Sequence, residues 1–169
     1  MPALYLDEFI RELRRDGDAA FRAHHPAPVI IVTRAAGELK EDAPVETTVM
    51  AETSGWRIQQ VSLLNRVFAV SRGAFEKDAP MVLGRGDKAD ILIPDSSISK
   101  RHCVFEAKPE GTTVMDCGST NGTTIGDAAI AANQPVLLKG GETLSVGNFS
   151  FLFHTADSFV AYLKHVVKI

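Results

Sequence analysis

Three short polar clusters carry the residue types that could do chemistry in this chain of 169 residues. They are Gly84-Arg85, Ser99-Lys100-Arg101-His102 and Asp116-Cys117-Gly118-Ser119-Thr120-Asn121-Gly122. Each adjoins a short β-like run, so each is expected at the end of a strand. Hydroxyls, amides, an ammonium group and guanidinium groups are suitable donors for a tetrahedral anion such as phosphate. The clusters therefore predict an anion-binding cradle made of three loops.

The elements that must position these clusters are short β-strands. From Arg66 onward apolar and polar residues alternate with a period of two, and glycines interrupt the runs. The predicted strands cover residues 81–83, 90–93, 103–105, 113–115, 136–138, 143–146 and 149–153, after a first one that begins at residue 66. Many short strands with regular turn signals are typical of an all-β sandwich, and the length allows about ten strands in two sheets.

Helical segments are expected at both ends of the chain. Residues 4–25 place apolar side chains at helical spacing, with an interruption at Gly17, and residues 157–169 do the same, with Asp157 or Ser158 as the N-cap. Both segments read Asp-x-Phe-apolar-x-x-Leu. Either the two amphipathic helices merely look alike, or they pack on each other or on a second copy of the chain.

The segment between the first helix and residue 66 is less regular. Residues 29–33 are continuously apolar and predict a buried strand. Residues 34–48 are polar and predict a loop. Residues 49–61 carry the single tryptophan, Trp56, and are a candidate edge strand.

Composition excludes several classes of function. The chain is 45% hydrophobic and 23% charged, with a net charge of −3, so it offers no general attraction for nucleic acid or an anionic membrane. We expect a cytoplasmic protein, because no apolar run is long enough to span a bilayer and the first residues lack the order of a secretory signal. The five histidines show no metal-ligand spacing, so no metal and no cofactor is predicted. Cys103 and Cys117 are expected as free thiols that face each other across a hairpin.

Two enzymatic interpretations fit the clusters less well than anion binding. Ser99, His102 and Asp116 contain the residue types of a hydrolase triad, but no nucleophile elbow or oxyanion segment accompanies them. We instead expect His102 to be a partly buried imidazole that holds two loops together. Residues 84–89 spell Gly-x-Gly-x-x-Ala, yet a strand pattern follows where a dinucleotide fold needs a helix. We therefore predict a protein that is not an enzyme.

The three clusters together resemble the motifs of the forkhead-associated (FHA) family, Gly-Arg, Ser-x-x-His and Asp-x-x-Ser-x-Asn-Gly. The resemblance implies an eleven-stranded, FHA/SMAD-like β-sandwich over residues 66–154 and says nothing about residues 1–65. From their own pattern we assign residues 1–65 to an N-terminal extension of helix, short strand and polar loop, and residues 155–169 to a C-terminal helix. The resemblance also implies binding of phosphothreonine peptides through the loops. The implied binding residues are Arg85 and Ser99 on the phosphate, Thr120 in support of it, Asn121 on the peptide main chain, and the basic Lys100 and Arg101. The implied architectural residues are Gly84, His102, Ser119 and Gly122.

A phosphothreonine-reading adaptor in Ser/Thr kinase signalling is the function that follows, with a phosphothreonine-containing protein as partner, a kinase or one of its substrates. The alternative is an interaction module that does not depend on phosphate and uses the sandwich face or the terminal helices, through which the chain can also dimerise. Glu46-Thr47-Thr48 is similar to the threonine motif in the tails of small actinobacterial FHA regulators. Thr47 and Thr48 are thus candidate phosphorylation sites.

Overall fold

The computed structural model describes residues 4–35, 63–71 and 79–168, which form two β-sheets and two α-helices. The seven-stranded sheet has the spatial order β1 (Leu4–Tyr5), β3 (Arg66–Ala69), β2 (Val29–Arg34), β12 (Phe149–His154), β11 (Thr143–Val146), β8 (Thr123–Ile125) and β9 (Ala128–Ala129). The five-stranded sheet has the order β10 (Val136–Leu138), β7 (Gly111–Asp116), β6 (Cys103–Lys108), β4 (Met81–Gly84) and β5 (Ile91–Leu92). The helices are α1 (Leu6–His24) and α2 (Ala156–Val167). The predicted β-sandwich with terminal helices is confirmed.

Strand β2 explains how the seven-stranded sheet is buried on both faces. Its side chains alternate in direction, so Ile30 and Val32 enter the core between the sheets, whereas Val29 and Ile31 enter a second core under the helices. A strand covered on both faces needs an unbroken apolar run. The predicted buried strand at residues 29–33 is therefore confirmed.

The two helices cover the outer face of the seven-stranded sheet and contact each other. The ring centroid of Phe159 in α2 lies 5.4 Å from that of Phe9 and 6.0 Å from that of Phe21, both in α1. Arg22 pairs with Asp157 at 3.0 Å across the same interface. The alternative in which the similar helices pack on each other is thus confirmed. Dimerisation is not required to bury their apolar stripes.

Both helices differ in detail from what the pattern predicts. Helix α1 is interrupted at Gly17, whose φ of 79° and ψ of 170° are not helical, in agreement with the predicted break. The predicted N-cap of α2 is wrong. Thr155 is the cap, because its side-chain oxygen accepts the backbone N–H of Ser158 at 3.2 Å. None of the described helices is long and apolar enough to cross a membrane.

The β6–β7 hairpin corrects the predicted pairing of the cysteines. Cys103 lies opposite Asp116, and Cys117 follows one residue later, so the two cysteines do not face each other. Both are free thiols, as predicted, and burial raises the pKa of Cys103 far above its ordinary value.

Several predictions lie outside the described residues. Among them are the phosphorylation candidates Thr47 and Thr48 and the candidate edge strand at residues 49–61. The division of the chain at residues 65/66 and 154/155 also stays a prediction.

Candidate functional site

The three polar clusters meet around Ser99. The backbone N–H of Arg85, just after β4, donates to the carbonyl oxygen of Ser99 at 3.0 Å. The backbone N–H of Thr120, in the loop between β7 and β8, donates to the Ser99 hydroxyl oxygen at 3.1 Å. Residues that are 14 and 21 positions away from Ser99 in sequence therefore touch it in space.

Gly84 permits this close approach because it has no side chain. A Cβ at Gly84 would lie 2.1 Å from the carbonyl oxygen of Lys100, well inside van der Waals contact. The next loop contact, from the backbone N–H of Gly86 to the same oxygen at 3.1 Å, depends on that proximity. After this glycine-rich turn the chain enters β5 and not a helix, which contradicts the dinucleotide interpretation.

The side chain of Arg85 is fixed in place while its terminal nitrogens stay open. Its Nε donates to the carbonyl oxygen of Ile98 at 2.9 Å, and the side chain is exposed. Within the described residues no carboxylate pairs with its guanidinium. The two terminal nitrogens are therefore available as a planar pair of donors, which is the arrangement that phosphate oxygens accept.

Ser99 and Thr120 supply hydroxyl groups on loops that backbone hydrogen bonds join to the Arg85 loop. The oxygen of Ser99 is occupied as an acceptor by Thr120 N–H, so the hydroxyl hydrogen is left to donate to a ligand. The side chain of Thr120 is exposed.

His102 is completely buried and joins two of the three loops. Its Nδ1 accepts the backbone N–H of Ser99 at 3.1 Å, and its Nε2 donates to the carbonyl oxygen of Gly122 at 2.9 Å. These two bonds require a neutral imidazole that is protonated on Nε2. Because Nδ1 bonds to the Ser99 backbone and not to its hydroxyl, the hydrolase triad does not assemble.

Asp116 organises the third loop from within. Its Oδ1 accepts the hydroxyls of Ser119 at 2.6 Å and Thr123 at 2.7 Å, and its Oδ2 accepts the backbone N–H groups of Gly118 and Ser119. Burial alone would raise the pKa of Asp116, but these four hydrogen bonds to the carboxylate outweigh it, and the net effect lowers the pKa. The carboxylate thus holds residues 118–123 in the turn that presents Thr120 and Asn121.

The remaining candidate residues surround the centre formed by Arg85 and Ser99. Lys100 and Arg101 are exposed, and in the described ranges neither forms an ion pair. The side-chain amide of Asn121 donates through Nδ2 to the carbonyl oxygen of Ser97 at 2.8 Å. Its amide oxygen is left to accept from a ligand.

Sequence reasoning missed the turn that supports the second cluster. Asp95 Oδ1 accepts both the backbone N–H of Ser97 at 2.8 Å and its hydroxyl at 2.5 Å. Ser97 in turn accepts the backbone N–H of Asn148 at 2.9 Å. The signal was present, since Pro94-Asp95-Ser96-Ser97 has the composition of an Asx turn. The contact of Ser97 with Asn148, 51 residues later in the chain, could not be predicted from the local sequence.

The assembled groups suit one chemical task. The loops joined at Ser99 carry a pair of guanidinium donors, a hydroxyl donor and two further cations, and no described carboxylate is paired with these cations. Such a site favours a multiply charged anion with several acceptor oxygens.

Comparison with known proteins yields a family match for the segment that carries the site. Residues 81–147 match the family model described as the FHA domain. The chain is 34% identical over 71 residues to an ABC transporter ATP-binding/permease protein of Mycobacterium tuberculosis, a match that covers 42% of this chain and 8% of that protein. It is 29% identical over 124 residues to the glycogen accumulation regulator GarA of Mycolicibacterium smegmatis, which covers 68% of this chain and 73% of GarA.

A solved structure of an FHA domain has the same two-sheet fold as this chain. The FHA domain of an Arabidopsis thaliana hypothetical protein superposes with a TM-score of 0.53 at 18% identity, covering 77% of this chain and 86% of that one. This likeness supports the fold. The chain spans less than a tenth of the length of the first curated relatives that it matches.

Proposed function

We propose that residues 81–147, which match the FHA domain model, form a forkhead-associated domain and that the protein is a phosphothreonine-peptide-binding adaptor in Ser/Thr kinase signalling. The single observation that carries the proposal is the state of Arg85. Its Nε is bonded to Ile98, its terminal nitrogens are open, and its backbone N–H bonds to Ser99.

The chemistry of a phosphothreonine matches this arrangement. The phosphate carries roughly −1.5 to −2 charges and three strong acceptor oxygens at neutral pH. Arg85 contacts two of these oxygens and the Ser99 hydroxyl a third, with Thr120 in support. Each charge-assisted bond contributes about 1.5–3 kcal/mol. Several such bonds, less the entropy of ordering the peptide, correspond to a Kd near about 1 μM.

The other binding residues have secondary roles. Lys100 and Arg101 add positive potential, and Asn121 contacts the peptide main chain through its amide oxygen. Gly84, His102, Ser119 and Gly122 hold the loops and do not contact the peptide. The partner is a phosphothreonine-containing protein, either a kinase or one of its substrates, and the location is cytoplasmic.

Arg85→Ala tests this function. We expect peptide affinity to fall by at least about 100-fold, beyond detection, because a bidentate charged contact of about 3 kcal/mol is removed. The measurement is calorimetric titration with an oriented phosphothreonine peptide library and with the same library unphosphorylated. Far-UV circular dichroism shows whether the fold is intact.

Arg14→Ala is the matched control, because Arg14 is exposed on α1 and takes no part in the loops. We expect it to bind as the wild type does. Unaltered affinity of Arg85→Ala would remove the assignment. Equal binding of phosphorylated and unphosphorylated peptides would instead favour the phosphate-independent interaction module.

Phosphorylation of Thr47 or Thr48 is a further part of the proposal. Its support is the Glu-Thr-Thr sequence and the length of the match to GarA, which at 124 residues is longer than the segment matched to the family. Mass spectrometry after treatment with a Ser/Thr kinase tests it, and absence of phosphate at both residues would refute it.

A further inference from the structure

A carboxylate in the helical layer lies between two histidines. Glu12 Oε1 accepts Nδ1 of His24 at 3.0 Å, and Glu12 Oε2 accepts Nε2 of His25 at 2.9 Å. Neither the sandwich nor the three polar loops use these residues.

The break at Gly17 is what brings these residues together. In a continuous helix, residues 12 positions apart are separated by about 18 Å along the axis. The non-helical Gly17 folds the second half of α1 back, so that His24 reaches Glu12. The ring of His25 is held by Phe21, with ring centroids 4.7 Å apart, and by Phe9 at 5.0 Å. The arrangement is therefore ordered by the packing of the helical layer.

Asp16 adds a third ligand group. One potential ligand atom each from Glu12, Asp16 and His24 lies within 4.8 Å of the others. Asp16 also accepts two hydrogen bonds from Arg15, both at 2.7 Å. Each carboxylate oxygen has two lone pairs, so Asp16 can bind a cation while Arg15 holds its orientation.

We propose that Glu12, Asp16 and His24 form a binding site for a divalent transition-metal ion of the Zn²⁺ type. One imidazole nitrogen and two carboxylate oxygens are ligands that zinc accepts, with water in the fourth tetrahedral position. On binding, the proton of His24 Nδ1 moves to Nε2, which frees the Nδ1 lone pair for the metal. His25 stays outside the coordination sphere and orients Glu12 through its hydrogen bond. The linear spacing does not reveal the site, because 12 residues and a helix break separate the ligands.

Zinc titration of the full chain tests this site. Binding is measured at pH 7.5 by competition with a chromophoric chelator, with ZnCl₂ alone as the probe. We expect one ion per chain in the wild type and a weakening of tenfold or more in His24→Ala and in Glu12→Gln, since each removes a direct ligand. The matched control is His165→Ala, an exposed histidine in the last turn of α2, and it should bind as the wild type does.

A second measurement, of the melting temperature, distinguishes the loss of the zinc site from a loss of folding. His24 is more than half exposed, with 56% of its side chain accessible, so His24→Ala should keep the wild-type fold. Zinc should raise the melting temperature of the wild type and of His165→Ala, but not of His24→Ala, because a ligand stabilises only the fold that binds it. Equal zinc affinity in wild type and His24→Ala would overturn the proposal, and so would the absence of binding to the wild type at about 100 μM zinc.

Discussion

At the scale of single residues, the loops are held by buried polar groups whose hydrogen bonds are complete. His102 is the clearest example, since one ring nitrogen serves the second cluster and the other serves the third. A buried polar group that loses its partner is costly, about 1–3 kcal/mol for each group. The residues beneath the surface therefore determine where the surface donors lie.

His102→Ala should lower the free energy of unfolding by about 2–4 kcal/mol, because it leaves Ser99 N–H and Gly122 carbonyl without partners and opens a cavity. Urea denaturation followed by circular dichroism measures this. His165→Ala, at an exposed position, should stay within about 0.5 kcal/mol of wild type. A similarly small change for His102→Ala would mean that the imidazole does not join the loops.

Asp116 makes stability depend on pH. Its pKa in the folded protein is lowered from an unfolded value of about 3.9. Its contribution is therefore present above about pH 4 and is lost as the pH falls through the folded value. Asp116→Asn should be less stable than wild type by about 1–3 kcal/mol at pH 7.

The difference between the two proteins should narrow as the pH drops from about 4 to about 2, because protonation removes the same charge from the wild type. Urea denaturation at several pH values measures it. Glu110→Gln, in the exposed turn between β6 and β7, should follow the wild type throughout. A difference that stays constant down to pH 2 would contradict the stated role of the carboxylate.

At the scale of elements, the sequence predicts a strand or helix well when the residues that define it are neighbours in the chain. The alternating runs around β6, β7 and β12 and the unbroken run of β2 identify those strands, because the burial of each strand is visible in its own residues. The predicted N-cap of α2 lies two or three residues after the observed one. Thr155, Asp157 and Ser158 all have side chains that can cap a helix, and only the backbone geometry distinguishes them.

Non-local features were harder to predict. The two-residue strands β1 and β9 carry no periodic signal, because they exist only through their pairing partners. In the β6–β7 hairpin Cys103 pairs with Asp116, one residue before Cys117, so the register differs by one residue from the predicted one. Register depends on the geometry of the turn, which the sequence does not determine. In the site, motif spacing indicated Arg85, Ser99 and Asn121, whereas the contact of Ser97 with Asn148 depends on the tertiary fold.

The aromatic contact between the helices is the element-scale feature with the largest expected effect on stability. Phe159 is 1% exposed and touches both Phe9 and Phe21. Phe159→Ala should therefore lower the free energy of unfolding by about 3–5 kcal/mol, measured by urea denaturation. Val166→Ala, on the same helix and 44% exposed, should change it by no more than about 0.5 kcal/mol. Equal effects would show that α2 does not depend on this packing.

At the scale of the whole molecule, one sheet serves two cores. The faces of β2 and of its neighbour β12 pack against the five-stranded sheet on one side and the helices on the other. The helical layer and the sandwich therefore share their central strands. We infer that neither can lose its packing without exposing a face of the other.

The distribution of charge over the molecule gives the last prediction. The net charge of −3 repels phosphate at long range, yet Arg85, Lys100 and Arg101 stand together on one set of loops. Their attraction for a phosphopeptide must therefore be local and sensitive to screening. Raising the ionic strength from about 0.1 M to 1 M shortens the Debye length from about 10 Å to 3 Å and should weaken phosphothreonine-peptide binding several-fold.

Arg101→Gln separates this field from direct contact. Because Arg101 has no ion-pair partner in the described residues and is predicted to lie beside the phosphate, its loss should flatten the dependence of log Kd on log salt more than it changes Kd at high salt. Arg14→Gln, on α1, should leave the slope unchanged, and fluorescence polarisation with a labelled phosphothreonine peptide measures all three proteins. An affinity independent of salt would mean that contacts other than charge hold the peptide, in conflict with a phosphate bound by Arg85.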